Sequence, residues 1–175
     1  MNEIESLIQW VLNLVTENLY LGVFLAALIE TVFPPIPSEI VFPLAGYAVL
    51  QNEMSVFHVL GVGIVGGLGT TLGATVIYLI ALKLGRPGVI KFVKYFRIKE
   101  KQIEKAENWF AKYGDKTVLF GRLVPGLREL VSIPAGILNM KFPKFLLYTF
   151  IGSCTWSVAL TAAGYYFGVS TIDFF

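Results

Sequence analysis

Two apolar stretches of this chain are long enough to cross a bilayer as helices. Met54 to Leu82 contains 29 residues without a charged side chain, and Phe145 to Ile172 contains 28. A helix needs roughly 20 apolar residues to cross the hydrocarbon core. The pattern therefore predicts two membrane spans, at about residues 56–82 and 145–168.

Between the N-terminus and the first span, the apolar residues form a pair of short arms. The 11 residues from Leu19 to Ile29 end at Glu30, a proline-rich break follows at 34–39, and Ile40–Leu50 gives another 11. Each arm is too short to cross alone, and broken helices are tolerated at membrane depth only inside protein or beside a watery cavity. This favours a re-entrant hairpin at about 20–50. Two short spans joined by a tight loop are the alternative.

The same arrangement recurs before the second span, where a hairpin is predicted at about 117–140. A charged break again separates two short apolar arms, and an Ala-Gly pair again closes the second arm. Such internal symmetry, with interrupted segments at matching positions, is typical of transporters. We therefore expect two repeats, 20–82 and 117–172, within a single membrane domain over 1–175. The residues that match are Glu39 with Glu129 and Gly46 with Gly136, each glutamate preceding its glycine by seven positions.

Composition supports a membrane protein and excludes several other classes. Charged residues make up 15% of the chain and hydrophobic residues 55%, whereas soluble domains contain about 25% charged residues. Disorder, a coiled coil and a disulfide-stapled domain are excluded, and Cys154 is the single cysteine. The expected class is an all-helical integral membrane protein.

The basic residues are confined to the second half of the chain. All 14 Lys and Arg lie at or after Lys83, and 83–116 contains ten of them with four acidic residues. Because basic loops stay on the cytoplasmic side, 83–116 is predicted to be a cytoplasmic link. The first hairpin then opens outward and the second inward, which makes the repeats inverted. No soluble module is available to carry a nucleic-acid surface, so no nucleic-acid partner is expected.

Two segments show the spacing of amphipathic helices. Apolar residues recur on one face of 1–19 and of 97–113, with polar residues elsewhere. Both fit helices lying on the membrane surface, the second on the anionic cytoplasmic leaflet. For 1–19 the alternative is a longer tilted span that buries Glu17. The apolar face of the second helix contains Ile103, Ala106, Trp109, Phe110 and Tyr113.

Five charged residues fall within the hydrophobic stretches, and they are the candidate functional residues. An ionised side chain at bilayer depth costs about 2.5–3.5 kcal/mol, so we expect acids and arginines to pair near the midplane. A purely structural salt-bridge cluster is the alternative, although a hydrophobic interface would stabilise the fold at lower cost. The five are Glu30, Glu39, Arg122, Arg128 and Glu129.

The arginines and the acids suggest different roles. Guanidinium groups bind phosphate through two parallel hydrogen bonds and do not deprotonate, so Arg122 and Arg128 are predicted to bind an anionic headgroup. Desolvated carboxylates can take up a proton or bind a cation, which makes Glu30 and Glu39 candidates for ion coupling. Glu129 is predicted to neutralise Arg128.

Supporting roles are expected at the two breaks. Ser38 is predicted to cap the second arm of the first hairpin. The half-helix N-termini after Pro37 and after Pro125-Gly126 would add backbone N–H groups for an anion.

Further candidates concern partners and chemistry. Gly63/Gly67 and Gly69/Gly73 form G-x-x-x-G pairs, which allow close helix approach, and 61–73 offers a contact for a homodimer. With one histidine and one cysteine, no metal site is expected. No nucleophile–base pair is evident, which argues against an enzyme.

The motifs at the two breaks resemble those of the DedA family, also called the SNARE-associated or VTT-domain family. The match rests on Glu30 with Pro-Pro-Ile-Pro-Ser-Glu at 34–39, on Phe-Gly-Arg-Leu-Val-Pro-Gly-Leu-Arg at 120–128, and on Ala135-Gly136. It covers about 19–168. The resemblance implies re-entrant hairpins in inverted repeat and lipid translocation, with an essential acidic pair at Glu30 and Glu39 and an essential arginine pair at Arg122 and Arg128.

The resemblance also implies a substrate. Bacterial members are similar to flippases of undecaprenyl phosphate, so we expect an anionic polyprenyl-phosphate lipid to cross a prokaryotic plasma membrane. Protons or a monovalent cation are expected to be coupled, without another cofactor. The alternatives are a passive phospholipid scramblase, a proton or cation antiporter without a lipid substrate, and a structural or assembly protein.

Overall fold

The computed structural model describes residues 17–32, 38–95, 100–128 and 130–168, and within these ranges the chain is helical, without strands. The predicted surface segment at 1–19 lies almost wholly outside these residues, as do Pro37 and Glu129. The helices of the described residues are α1 (Leu19–Val32), α2 (Ser38–Gln51), α3 (Phe57–Tyr95), α4 (Glu100–Tyr113), α5 (Lys116–Gly121), α6 (Ser132–Ile137) and α7 (Phe142–Phe167).

Helices α3 and α7 correspond to the two predicted spans. Both are long and apolar enough to cross a membrane, over Phe57–Lys91 and Phe142–Phe167. The first extends past the predicted end at Leu82, and its helical geometry is interrupted at Gly85, where φ is 60°. Large aliphatic side chains are exposed along one face of α3, as expected for a lipid-facing surface. They are Leu60, Ile64, Leu68, Leu72, Val76 and Leu79.

The chain forms two compact units, and each long helix contributes one half to each unit. Unit 1 contains the described residues up to Gly73 together with those from Ser153 onward, and unit 2 runs from Ala74 to Gly152. Unit 1 therefore holds α1, α2 and the halves of α3 and α7 beside them. Unit 2 holds α4, α5, α6 and the other two halves. Each unit thus contains one hairpin.

Unit 1 is packed around small and aliphatic residues. Glycines on α3 allow the neighbouring helices to approach closely: a Cβ added at Gly67 would collide with Cys154 of α7, and one added at Gly73 would collide with Thr31 of α1. The glycines that could serve a homodimer are therefore covered within the chain, and the homodimer itself stays a prediction. The buried core consists of Val23, Ala26, Ala27, Val41, Phe42, Ala45, Val49, Val59, Val62 and Leu160.

Unit 2 is organised around an aromatic pair and the amphipathic helix α4. The Tyr78 ring stacks on Phe145 with 4.4 Å between centroids, and its hydroxyl donates to the Met140 carbonyl at 2.6 Å. Helix α4 packs on α5 and α6. Its predicted apolar face is confirmed at Ile103, Ala106 and Phe110, which are buried. The buried part of this face packs against the two short helices, whereas Tyr113 at its end is 50% exposed.

The second arms of the two hairpins make matching glycine contacts. In unit 1, a Cβ added at Gly46 would overlap the Thr161 carbonyl oxygen and crowd the Tyr165 nitrogen. In unit 2, one added at Gly136 would meet the Tyr78 carbonyl oxygen and the Leu82 nitrogen. Both target pairs are four residues apart, which is one helical turn.

The first arms match in the same way. A Cβ added at Gly69 would overlap the Phe24 carbonyl oxygen and lie near the Ala27 Cβ, and one added at Gly152 would meet the Leu119 carbonyl oxygen and the Arg122 Cβ. Each hairpin therefore touches both long helices through equivalent atoms.

Candidate functional site

The acidic pair lies in unit 1, at the break between α1 and α2. Glu30 is 4% exposed, and its Oε1 accepts a hydrogen bond from the backbone N–H of Ser38 at 3.0 Å. Since the first N–H groups of a helix have no intrahelical acceptor and carry partial positive charge, the carboxylate stabilises the start of α2. Glu30 thus joins the two arms of the first hairpin.

Ser38 connects the two acids. It is the first residue of α2, and its predicted capping role stays a prediction. Its hydroxyl donates to Oε2 of Glu39 at 3.5 Å, and Glu39 occupies the first turn of α2, as predicted. Ser38 therefore links Glu30, through its backbone N–H, to Glu39, through its hydroxyl.

The arginine pair lies in unit 2, in the second hairpin. Arg122 is 2% exposed and Arg128 is 8% exposed. Arg122 follows α5 directly, and its Nη2 donates to Oγ of Ser132 at 2.7 Å. A Cβ added at Gly121 would collide with Val131. The two arms therefore approach closely where Arg122 meets Ser132.

A tight turn separates the two arginines. Leu127 N–H donates to the Val124 carbonyl at 3.2 Å, and Gly126 has a φ of 74°. Proline followed by a positive-φ glycine is the pattern of a type II turn, with Pro125 and Gly126 in its central positions. The half-helix predicted to begin after Pro125 is wrong, because α6 begins only at Ser132. The described residues after Pro125, 126–128 and 130–131, form turns, since the positive φ of Gly126 does not continue a helix.

Two buried hydroxyls on α7 were missed by the sequence analysis. Most buried threonines of the long helices donate to the carbonyl four residues earlier, as Thr161 does to Ser157 at 2.7 Å. Thr149 Oγ1 and Ser153 Oγ instead form no hydrogen bond within the described part of the chain, although Thr149 is 0% and Ser153 3% exposed. The spacing of four between them was visible in the sequence. Their lack of partners was not.

The predicted pairing of acids with arginines near the midplane stays a prediction. Glu30 and Glu39 belong to unit 1, while Arg122 and Arg128 belong to unit 2. Within the described ranges, no three His, Cys, Asp or Glu residues come together as a metal site.

The fold and these motifs agree with the comparison to known families. The model of the VTT domain matches residues 36–166. This chain therefore belongs to the VTT-domain, or DedA, family of membrane proteins, which confirms the resemblance found in its motifs.

Two different functional names occur among the relatives. The chain is 37% identical to "Undecaprenyl phosphate transporter A" of Bacillus subtilis over 93% of its own length and 79% of the relative. It is 30% identical to a Staphylococcus aureus protein of the same name, over 83% and 72%. A Lactococcus lactis relative named "Alkaline phosphatase-like protein" is 37% identical over 83% and 69%. No solved structure matches the chain.

Proposed function

We propose that this protein translocates an anionic polyprenyl-phosphate lipid, such as undecaprenyl phosphate, across a bacterial plasma membrane. The observation that carries the proposal is the burial of two arginines in the second hairpin of a VTT-domain chain, at 2% and 8% exposure. Relatives named undecaprenyl phosphate transporter A supply the substrate class.

The chemistry of Arg122 and Arg128 fits a phosphate ligand. A guanidinium keeps its charge in a buried setting and presents its N–H groups as a planar fork. A phosphate group can accept parallel, charge-assisted hydrogen bonds from such a fork. The Ser132 hydroxyl supports this role, because its 2.7 Å bond fixes one guanidinium nitrogen of Arg122.

Glu30 and Glu39 are proposed to couple transport to protons or a monovalent cation. Protonation of Glu30 would weaken its hydrogen bond to the Ser38 N–H, because the neutral acid is the poorer acceptor. The same event would remove negative charge from the start of α2. Uptake of one proton would thus loosen the join between the two arms of the first hairpin.

The matching glycine contacts of the two units support an inverted repeat with re-entrant hairpins. The two hairpins contact the long helices through equivalent atoms, so each could adopt in turn the conformation of the other. Such an exchange between repeats is one way to produce alternating access. In this proposal the protein spans the membrane several times, with 83–116 in the cytoplasm. The lipid tail stays in the bilayer while the headgroup crosses between the sides.

The experiment that tests the proposal is translocation of undecaprenyl phosphate in proteoliposomes containing the full chain. Wild-type protein should move the lipid, and Arg122→Gln should abolish movement. Lys144→Gln is the matched control, since Lys144 is 55% exposed and pairs with Asp115 at 3.1 Å. Transport by Arg122→Gln at the wild-type rate would refute the assignment.

The same vesicles distinguish the other functions. A rate that ignores an imposed pH gradient would indicate a passive scramblase, and ion flux in vesicles lacking anionic lipid would indicate an antiporter. Release of phosphate from the lipid would indicate the enzymatic activity suggested by the relatives' phosphatase-like names. We expect gradient-dependent movement without phosphate release.

A further inference from the structure

The hydroxyl group of Thr149 is buried and has no hydrogen-bond partner among the described residues. Its side chain is 0% exposed, and Oγ1 forms no hydrogen bond within the described residues. In a long apolar helix a threonine normally donates to the carbonyl four residues earlier, as Thr71 does to Gly67 at 2.6 Å and Thr161 to Ser157 at 2.7 Å. Thr149 is an exception to this pattern.

The position of Thr149 on α7 directs it toward the arginine hairpin. Phe145, Thr149 and Gly152 follow one another at i, i+4 and i+7, so they share one face of the helix. At one end of this face Phe145 stacks on Tyr78. At the other end Gly152 lies against Arg122, close enough that an added Cβ would be 2.7 Å from the arginine Cβ. Thr149 lies one turn from that contact, inside unit 2.

Packing alone does not explain a threonine at this position. A buried hydroxyl without a partner costs free energy, and valine has nearly the same shape without that cost. The second such hydroxyl, Ser153, belongs to unit 1, whereas Thr149 and Arg122 belong to the same unit. The observations therefore single out Thr149.

We propose that Thr149 donates its hydroxyl hydrogen bond to an oxygen of the phosphate group held by Arg122. Thr149 is thus a substrate-binding residue, with the guanidinium supplying charge and the hydroxyl fixing orientation. This inference rests on the proposed function. Its ligand chemistry is a phosphate group, whether carried by a lipid or free in solution.

The test measures dissociation constants for the full chain in nanodiscs, with undecaprenyl phosphate, undecaprenol and inorganic phosphate as separate probes. A hydrogen bond to a charged group contributes enough for its loss to weaken binding about tenfold or more. Thr149→Val should therefore bind undecaprenyl phosphate about tenfold less tightly, while Thr149→Ser retains affinity within about threefold. Binding of undecaprenol should not change.

The matched control is Thr161→Val on the same helix. Thr161 is also 0% exposed, but its hydroxyl is already bonded to the backbone, so its loss should leave affinity unchanged. Without lipid, Thr149→Val should melt at the wild-type temperature or above, because it removes an unpaired polar group. A structural role for the hydroxyl predicts the opposite change in melting temperature.

Separate outcomes overturn separate claims. If Arg122→Gln loses undecaprenyl phosphate while Thr149→Val binds like wild type, the Thr149 inference is wrong and the proposed function stands. If Arg122→Gln itself binds like wild type, the proposed function fails. If Thr149→Val binds inorganic phosphate and undecaprenyl phosphate more weakly by the same factor, the phosphate group alone is recognised. If only its binding of the lipid is weaker, the tail is bound together with the phosphate. Both results support the inference.

Discussion

The two hairpins use the same glycine framework but carry opposite chemistry. In the first, two regular helices of 14 residues flank the break, and an acid from one caps the other. In the second, two helices of six residues flank the break, turns occupy its described residues 125–128 and 130–131, and Arg122 bonds to a hydroxyl across the hairpin. The glycine contacts thus give the two hairpins a common architecture, while the residues at the breaks give them side chains of opposite charge.

The largest expected effect is on the free energy of unfolding, at the glycine contacts that the two hairpins share. Gly46→Ala and Gly136→Ala should each lower the free energy of unfolding by about 3 kcal/mol, because the added methyl meets backbone atoms that cannot move aside. Chemical denaturation in detergent measures this. Gly114→Ala is the control: its φ is 61° but its surroundings are open, so it should cost about 1 kcal/mol. A large cost at only one of the two sites would break the equivalence of the hairpins.

The next effect concerns the arginine hairpin. Arg122→Gln should weaken undecaprenyl phosphate binding about hundredfold, since it removes charge-assisted hydrogen bonds worth up to about 3 kcal/mol. Arg122→Lys should fall between, because it retains charge but loses the planar fork. Affinity measured in nanodiscs checks the order. Equal affinities for the lysine and glutamine variants would argue against bidentate recognition.

The acidic hairpin should respond differently. Glu30→Gln mimics the protonated acid, so it should retain lipid binding and lose the dependence of transport on a pH gradient. The weaker cap on α2 should also lower the free energy of unfolding by about 1 kcal/mol. Glu53→Gln, at an exposed position between α2 and α3, is the control. Loss of lipid binding in Glu30→Gln would contradict separate roles for the two hairpins.

The smallest effect is at the turn between the arginines. Gly126→Ala should destabilise the protein by about 1 kcal/mol, because alanine is strained at a φ of 74° even though nothing crowds the position. A displaced turn would also move Arg128. The affinity for undecaprenyl phosphate should therefore fall even under conditions in which the variant is fully folded. Pro125→Ala, which leaves the glycine in place, should change affinity less.

The sequence was sufficient for features that depend on local pattern. The lengths of the apolar stretches located α3 and α7, and the motifs at the breaks identified the family. The position of Glu39 in the first turn of α2 followed from the proline-rich break before it.

Contacts between segments that fold back on each other could not be predicted from the sequence. The bond from Ser38 to Glu30 spans eight positions and exists only because two arms fold back on each other. The packing of α4 could not be predicted for a similar reason: periodicity indicates which face of a helix is apolar, but not that α5 and α6 pack on it. The delayed start of α6 reflects turn geometry, which short apolar segments do not encode clearly.

The most direct test of the proposed function is native mass spectrometry of the full chain purified from bacterial membranes. Wild-type protein and Lys144→Gln should carry a bound polyprenyl phosphate, and Arg122→Gln should lose it. Retention of the same lipid by Arg122→Gln, or a bound lipid without a phosphate group, would contradict the proposed function.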